Sequence, residues 1–106
     1  MSEVSSNGSA YELSGPADAP VIVLIHGLGL NRHVWDSYAS RLAHRYRVLN
    51  YDLFGHGETV PPPEIPTLTL FSEQLLGLLD ELAIDRCSMI GFSLGGMINR
   101  RFAIDH

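Results

Sequence analysis

The segment Gly91-Phe92-Ser93-Leu94-Gly95-Gly96 constrains the fold of this chain more than any other. A short apolar run, Cys87 to Ile90, leads into it, and a helical pattern of Leu94, Ile98 and Phe102 leaves it. The backbone must pass from strand to helix through a sharp turn with a hydroxyl-bearing residue at its apex. Gly91 and Gly95 flank Ser93 because larger side chains would collide where strand and helix pass closely. Serine is also a favoured helix cap, but capping alone does not call for glycine on both sides.

The rest of the chain repeats the same grammar. Val21 to Ile25 is a continuous β-branched and aliphatic run, the kind buried on both faces of a parallel sheet, and it ends at His26-Gly27. Trp35, Tyr38, Ala39 and Leu42 share one helical face. Tyr46 to Tyr51 reads as a second strand, ending at Asp52. Gly55-His56-Gly57 and the prolines at 61–63 and 66 mark a long loop, after which Phe71, Leu75, Leu78 and Leu82 share a face of a second helix. Cys87 to Ile90 is the third strand and Leu94 to about Ile104 the third helix. Tyr11 to Leu13 fits a short edge strand. The polar, Ser-rich residues 1–10 read as a flexible tail, leaving one domain over 11–106. The alternation argues an α/β fold with a mostly parallel sheet, three helices and right-handed crossovers.

Composition narrows the function. At 106 residues with a formal net charge of -5 and no basic stripe, the chain does not look like a nucleic-acid binder. Val21 to Ile25 is far too short to span a bilayer, and the start has no basic cluster followed by an apolar run, so no membrane contact and a cytoplasmic setting are expected. The single Cys87 reads as a small core residue, and Met97, Ile98 and Phe102 as ordinary helix core. No H-E-x-x-H or C-x-x-C spacing occurs, so neither a metal nor a cofactor is expected.

Two chemistries compete for the glycine-rich turns. Gly27-Leu28-Gly29-Leu30-Asn31-Arg32 follows a strand, and Asp52 ends the next one, as in half of a dinucleotide-binding domain. Against this, the third glycine of that fingerprint is replaced by Arg32, and His26 has no part in pyrophosphate binding. Acyl transfer uses both ends of the chain instead. It needs a nucleophile, Ser93, and two N–H donors for the developing oxyanion. Leu94, the residue after the nucleophile, supplies one. Leu28 supplies the other, with Gly29 in reserve. In a parallel sheet the two strands end on the same side, so the loops can meet.

His26-Gly27-Leu28-Gly29, Tyr51-Asp52-Leu53-Phe54-Gly55-His56-Gly57-Glu58-Thr59 and Gly91-Phe92-Ser93-Leu94-Gly95-Gly96-Met97 together resemble the α/β-hydrolases. The similarity is to the branch of enol-lactone hydrolases, meta-cleavage-product hydrolases and carboxylesterases, and covers residue 11 to the last residue. It implies hydrolysis of a small-molecule ester, lactone, thioester or ketone carbon–carbon bond through an acyl-enzyme on Ser93. It also implies a triad in the order Ser, acid, His, whose last two members have no counterpart before His106. On this reading the chain is a partial α/β-hydrolase fold, the C-terminal half of the sheet and the cap absent, and inactive alone. A second chain supplying the acid and the histidine would complete it, and self-association through the open edge of the third strand is the other partner expected. Among residues present, His56 is the candidate base, Asp52 orders its own loop and His26 is structural. The alternative is a non-enzymatic binding or oligomerising module built on the same edge.

Overall fold

The computed structural model describes residues 2–106. Strands β1 (Glu3–Val4), β2 (Ala10–Ser14) and β3 (Val21–Ile25) come in succession, and from β3 onward helices α1 (Asp36–Leu42), α2 (Leu68–Glu81) and α3 (Leu94–Asp105) alternate with β4 (Arg47–Tyr51) and β5 (Ser88–Gly91). A 3-10 turn over Arg32–Trp35 leads into α1. The sheet has the order β1-β2-β4-β3-β5. β3 runs parallel to both β4 and β5, while β2 and β1 add an antiparallel ribbon beyond β4. This is a mixed α/β sheet of five strands with three helices.

From β3 the chain steps to β4 on one side, then crosses back to β5 on the other. Right-handed crossovers in opposite directions put their helices on opposite faces. The core follows that rule. Val23 and Ile25 pair with Leu49 and Tyr51, and all four pack with Phe71, Leu75, Leu78, Ile98 and Phe102 of α2 and α3 in one cluster. Leu24 and Val48 point to the other face and are equally buried.

Several expectations need correction. The flexible tail over 1–10 is structured from β1 onward, residue 1 lying outside the described residues. Val4 pairs with Ala10, and Ser5 and Ser9 are buried. Hydrogen bonds hold them: Ser9 N–H donates to Ser5 Oγ at 3.2 Å, and Gln74 Nε2 donates to Ser9 Oγ at 2.9 Å. Met97 is not core. It is 53% exposed beside the elbow, because Leu94, Ile98 and Phe102 define the inner stripe at i, i+4 and i+8. Cys87 sits just before β5 and is only partly buried. Burial still raises the pKa of its thiol. β5 forms the sheet's outer edge, with Ser88 and Ile90 exposed. No helix among the described residues is long and apolar enough to cross a membrane.

Candidate active site

Ser93 has φ 57° and ψ -113°. A non-glycine residue held there stores about 1–3 kcal/mol of backbone strain. The helix-cap explanation fails, because the Ser93 side chain makes no capping hydrogen bond to α3; it is exposed instead. The flanking glycines are a steric requirement. A Cβ on Gly91 would strike the backbone of Gly95 and Gly96, and one on Gly95 would strike the Ile25 carbonyl. The elbow is wedged against the end of β3, and Phe92 N–H donates to that same Ile25 carbonyl at 3.0 Å.

That wedge brings the two glycine turns together. A Cβ built on Gly27 would lie 3.1 Å from the Phe92 carbonyl oxygen and 3.5 Å from Ser93 Cβ. The site therefore lies at the carboxyl ends of β3 and β5, where the strand order reverses. Open α/β sheets bind ligands at such points. In the first turn of α3, Gly95 N–H goes to Phe92 and Gly96 N–H to Ser93. The Leu94 N–H has no acceptor among the described residues, nor does that of Leu28. Both leucines line an open cleft of about 510 Å³ with Phe54, His56, Leu68 and Met97. Gly29 is no longer in reserve: its N–H donates to His56 Nε2 at 3.0 Å.

Two histidines tie this region together. His26 is fully buried. Its Nδ1 lies 2.7 Å from the Gly27 carbonyl, and its Nε2 accepts from Leu53 N–H at 3.0 Å. These partners require the neutral Nδ1–H tautomer. Burial lowers the His26 pKa and outweighs the opposing hydrogen bond to the Gly27 carbonyl, with lesser contributions from His56, which lowers it, and Asp52, which raises it. Leu30 N–H also reaches the Gly27 carbonyl, at 3.2 Å. With its oxygen held twice, the Gly27–Leu28 peptide is fixed in orientation, and its N–H points the opposite way. His56 holds Phe54 through Nδ1 at 3.0 Å as well as Gly29 through Nε2. Both ring nitrogens are engaged, so His56 is not free to act as a base. The two rings lie 5.1 Å apart.

Asp52 is buried and does more than order its own loop. It accepts from the Arg32 backbone N–H at 2.7 Å, from the Arg32 guanidinium and from Glu58 N–H at 2.9 Å. Arg32 also pairs with Glu12 and Glu58. Burial opposes its charge, but hydrogen bonds to Glu58 and Glu12 and the charge of Asp52 outweigh that and raise its pKa. With both oxygens taken by Arg32 and its loop, Asp52 is not arranged to receive a ribose. With Gly29 N–H on His56, the first glycine loop is not arranged as a phosphate cradle. The remaining histidines are elsewhere: His33 pairs with Asp36, His106 lies 3.5 Å from Glu73, and His44 is exposed.

A second concavity of about 620 Å³ opens at the other end of β5, between α2 and α3, and includes Cys87, Met89 and Phe102. Its thiol is half-buried and poorly ionised, so it offers no nucleophile. One organising residue had a visible signal in the sequence. Gln74 interrupts the apolar face of α2 beside Leu75, and it is buried there, accepting from Phe54 N–H at 3.0 Å and donating to the Asp52 carbonyl at 3.0 Å.

Residues 20–106 match the sequence profile of the alpha/beta hydrolase fold family. The 3-oxoadipate enol-lactonase 1 of Acinetobacter baylyi is 36% identical over 88 residues, covering 83% of this chain and 33% of that protein. A hydrolase structure from Pseudomonas aeruginosa PA01 superposes with a TM-score of 0.87 at 37% identity, over 97% of this chain and 40% of that one. The enol-lactonase structure from Burkholderia xenovorans LB400 gives 0.87 at 35% identity, over 94% and 40%. A serine elbow wedged beside an HG loop at the strand-order reversal, in a chain with these relatives, leaves one conclusion: the chain belongs to the α/β-hydrolase family. It spans about a third of the length of the lactonase it matches.

Proposed function

We propose that this chain carries the nucleophile and oxyanion half of a serine hydrolase acting on a carboxylic ester, lactone or thioester. Ser93 attacks the carbonyl carbon. The Leu28 and Leu94 N–H groups receive the charge that develops on its oxygen, and water later releases the acyl group. The carrying observation is the strained, exposed Ser93 beside Gly27, with Leu28 and Leu94 among the residues that line one cleft. Similarity to an enol-lactonase and to a pimeloyl-[acyl-carrier protein] methyl ester esterase of Aeromonas hydrophila supports the substrate class.

Among the described residues no histidine is available to take the Ser93 proton. On this reading turnover also needs an acid and a histidine that residues 2–106 do not supply, and without them these residues do not turn substrate over. Fluorophosphonate labelling tests it. Ser93 should stay unlabelled in the chain alone and become labelled on mixing with the remaining portion of a family enzyme. Ser93→Ala should abolish the signal. Equal labelling of Ser93→Ala, or no labelling in a mixture shown to form a complex, would overturn the reading.

The exposed edge of β5, with Ile90 43% exposed and Phe92 just past the strand 55% exposed, favours a second reading: a non-enzymatic module that self-associates through this edge. A stable assembly that never labels would support it.

A further inference from the structure

The α1 side of the sheet carries a cluster that the hydrolase reading does not use. Glu12 on β2 and Asn50 on β4 are register partners, so their side chains leave the sheet together. His33 of the 3-10 turn and Asp36 of α1 lie over them. One donor atom from each of Glu12, His33 and Asp36 falls within 4.8 Å of the others. His33 Nδ1 and Asp36 Oδ2 are 3.0 Å apart. These residues and Asn50 line one cavity of about 260 Å³. Asn50 supplies the independent observation. It is only 3% exposed, and its Nδ2 donates to the Arg32 carbonyl at 2.9 Å. Its Oδ1 is buried without any hydrogen-bond partner. A buried amide oxygen in that state is short of a donor or a cation.

We propose that Glu12, His33 and Asp36, with the Asn50 side-chain oxygen, bind one divalent transition-metal ion of the zinc class. One imidazole nitrogen among carboxylate and amide oxygens is a borderline donor set. Calcium and magnesium prefer oxygen alone. Zinc bonds of about 2.0–2.2 Å put neighbouring tetrahedral donors roughly 3.4 Å apart. His33 and Asp36 already stand near that spacing, and the ion takes the place of their mutual hydrogen bond. Glu12 keeps its 2.8 Å contact with Arg32 Nε, whose charge Asp52 and Glu58 also balance. The bound ion ties β2, β4, the 3-10 turn and α1 together, where α1 has no fully buried residue of its own. The set escapes a motif search because its ligands come from separate elements. Nothing here depends on Ser93 or its chemistry.

The test is calorimetric titration of chelator-treated chain with Zn²⁺, alongside visible spectroscopy with Co²⁺. One equivalent should bind saturably and raise the unfolding temperature. The His33 and Asp36 side chains are 54% and 61% exposed, so their variants keep the fold. His33→Ala and Asp36→Asn should each weaken binding at least about tenfold and change the Co²⁺ ligand-field bands. His44→Ala and His106→Ala should leave both unchanged. Absence of saturable binding at millimolar Zn²⁺, or undiminished binding by the His33→Ala/Asp36→Asn double variant, would overturn the proposal.

Discussion

Ser93 adopts its backbone angles because Gly91, Gly95 and Gly27 leave room for it, and each glycine is answerable to a named atom. Gly95→Ala should destabilise the chain by about 1–3 kcal/mol or more, since its Cβ meets the backbone carbonyl of Ile25 and not a movable side chain. Urea unfolding checks this. His26 is a second residue with a sharp expectation. His26→Ala strands a buried Leu53 N–H, at about 1–3 kcal/mol. Its pKa in the fold lies below the ordinary 6.5. The unfolded chain therefore takes up a proton below that pH that the folded chain refuses. Stability due to His26 is complete above 6.5 and falls as the pH drops from there toward its folded pKa. Urea midpoints compared between pH 5 and 8 should show a shallower acid slope in His26→Gln than in the parent. An unchanged slope would show that His26 is not held neutral.

Among the elements, what the sequence made legible is what hydrophobic period encodes. The runs at β3, β4 and β5 and the stripe of α2 stand within a residue or a few of their expected bounds. The segment before Ala10 was not legible, because Ser5, Ser9 and Asn7 are held by hydrogen bonds to one another and to Gln74, and polar burial leaves no period. The start of α2 at Leu68 was hidden too: Thr67 caps it by accepting from Leu70 N–H at 3.0 Å. Its far end offers a prediction. Ala83 has φ 56°, while Ile84 N–H bonds to Leu79 and Ala83 N–H to Asp80. This is a Schellman ending with alanine where glycine is usual. A left-handed L-residue costs about 1–2 kcal/mol, and glycine's extra unfolded freedom returns about 0.5–1 kcal/mol of that. Ala83→Gly should raise stability by a few tenths to about 1 kcal/mol, read as a higher urea midpoint at constant slope.

At the scale of the molecule, sequence order foretold parallel β3, β4 and β5. It foretold an edge strand at Tyr11 to Leu13, seen as β2, but neither its antiparallel sense nor β1, whose two residues give no pattern to read. Nor did it reveal the Arg32 cluster, whose partners Glu12, Asp52 and Glu58 meet only once the sheet has formed. β5 is an edge strand of the sheet among the described residues, and its Ile90 is exposed. Unpaired strand groups and exposed apolar side chains template association. Ile90→Lys should shift the chain toward monomer, measured by sedimentation over a concentration series. An identical distribution in parent and variant would exclude this edge as the contact.

β5 is one of the sheet's two edge strands, and Ser93 stands two residues past its end. A polypeptide that lengthens the sheet on that side arrives beside the serine. Under the proposed function, docking and switching on would be a single encounter, and turnover in a two-component mixture should then fall more steeply on dilution than the amount of either component.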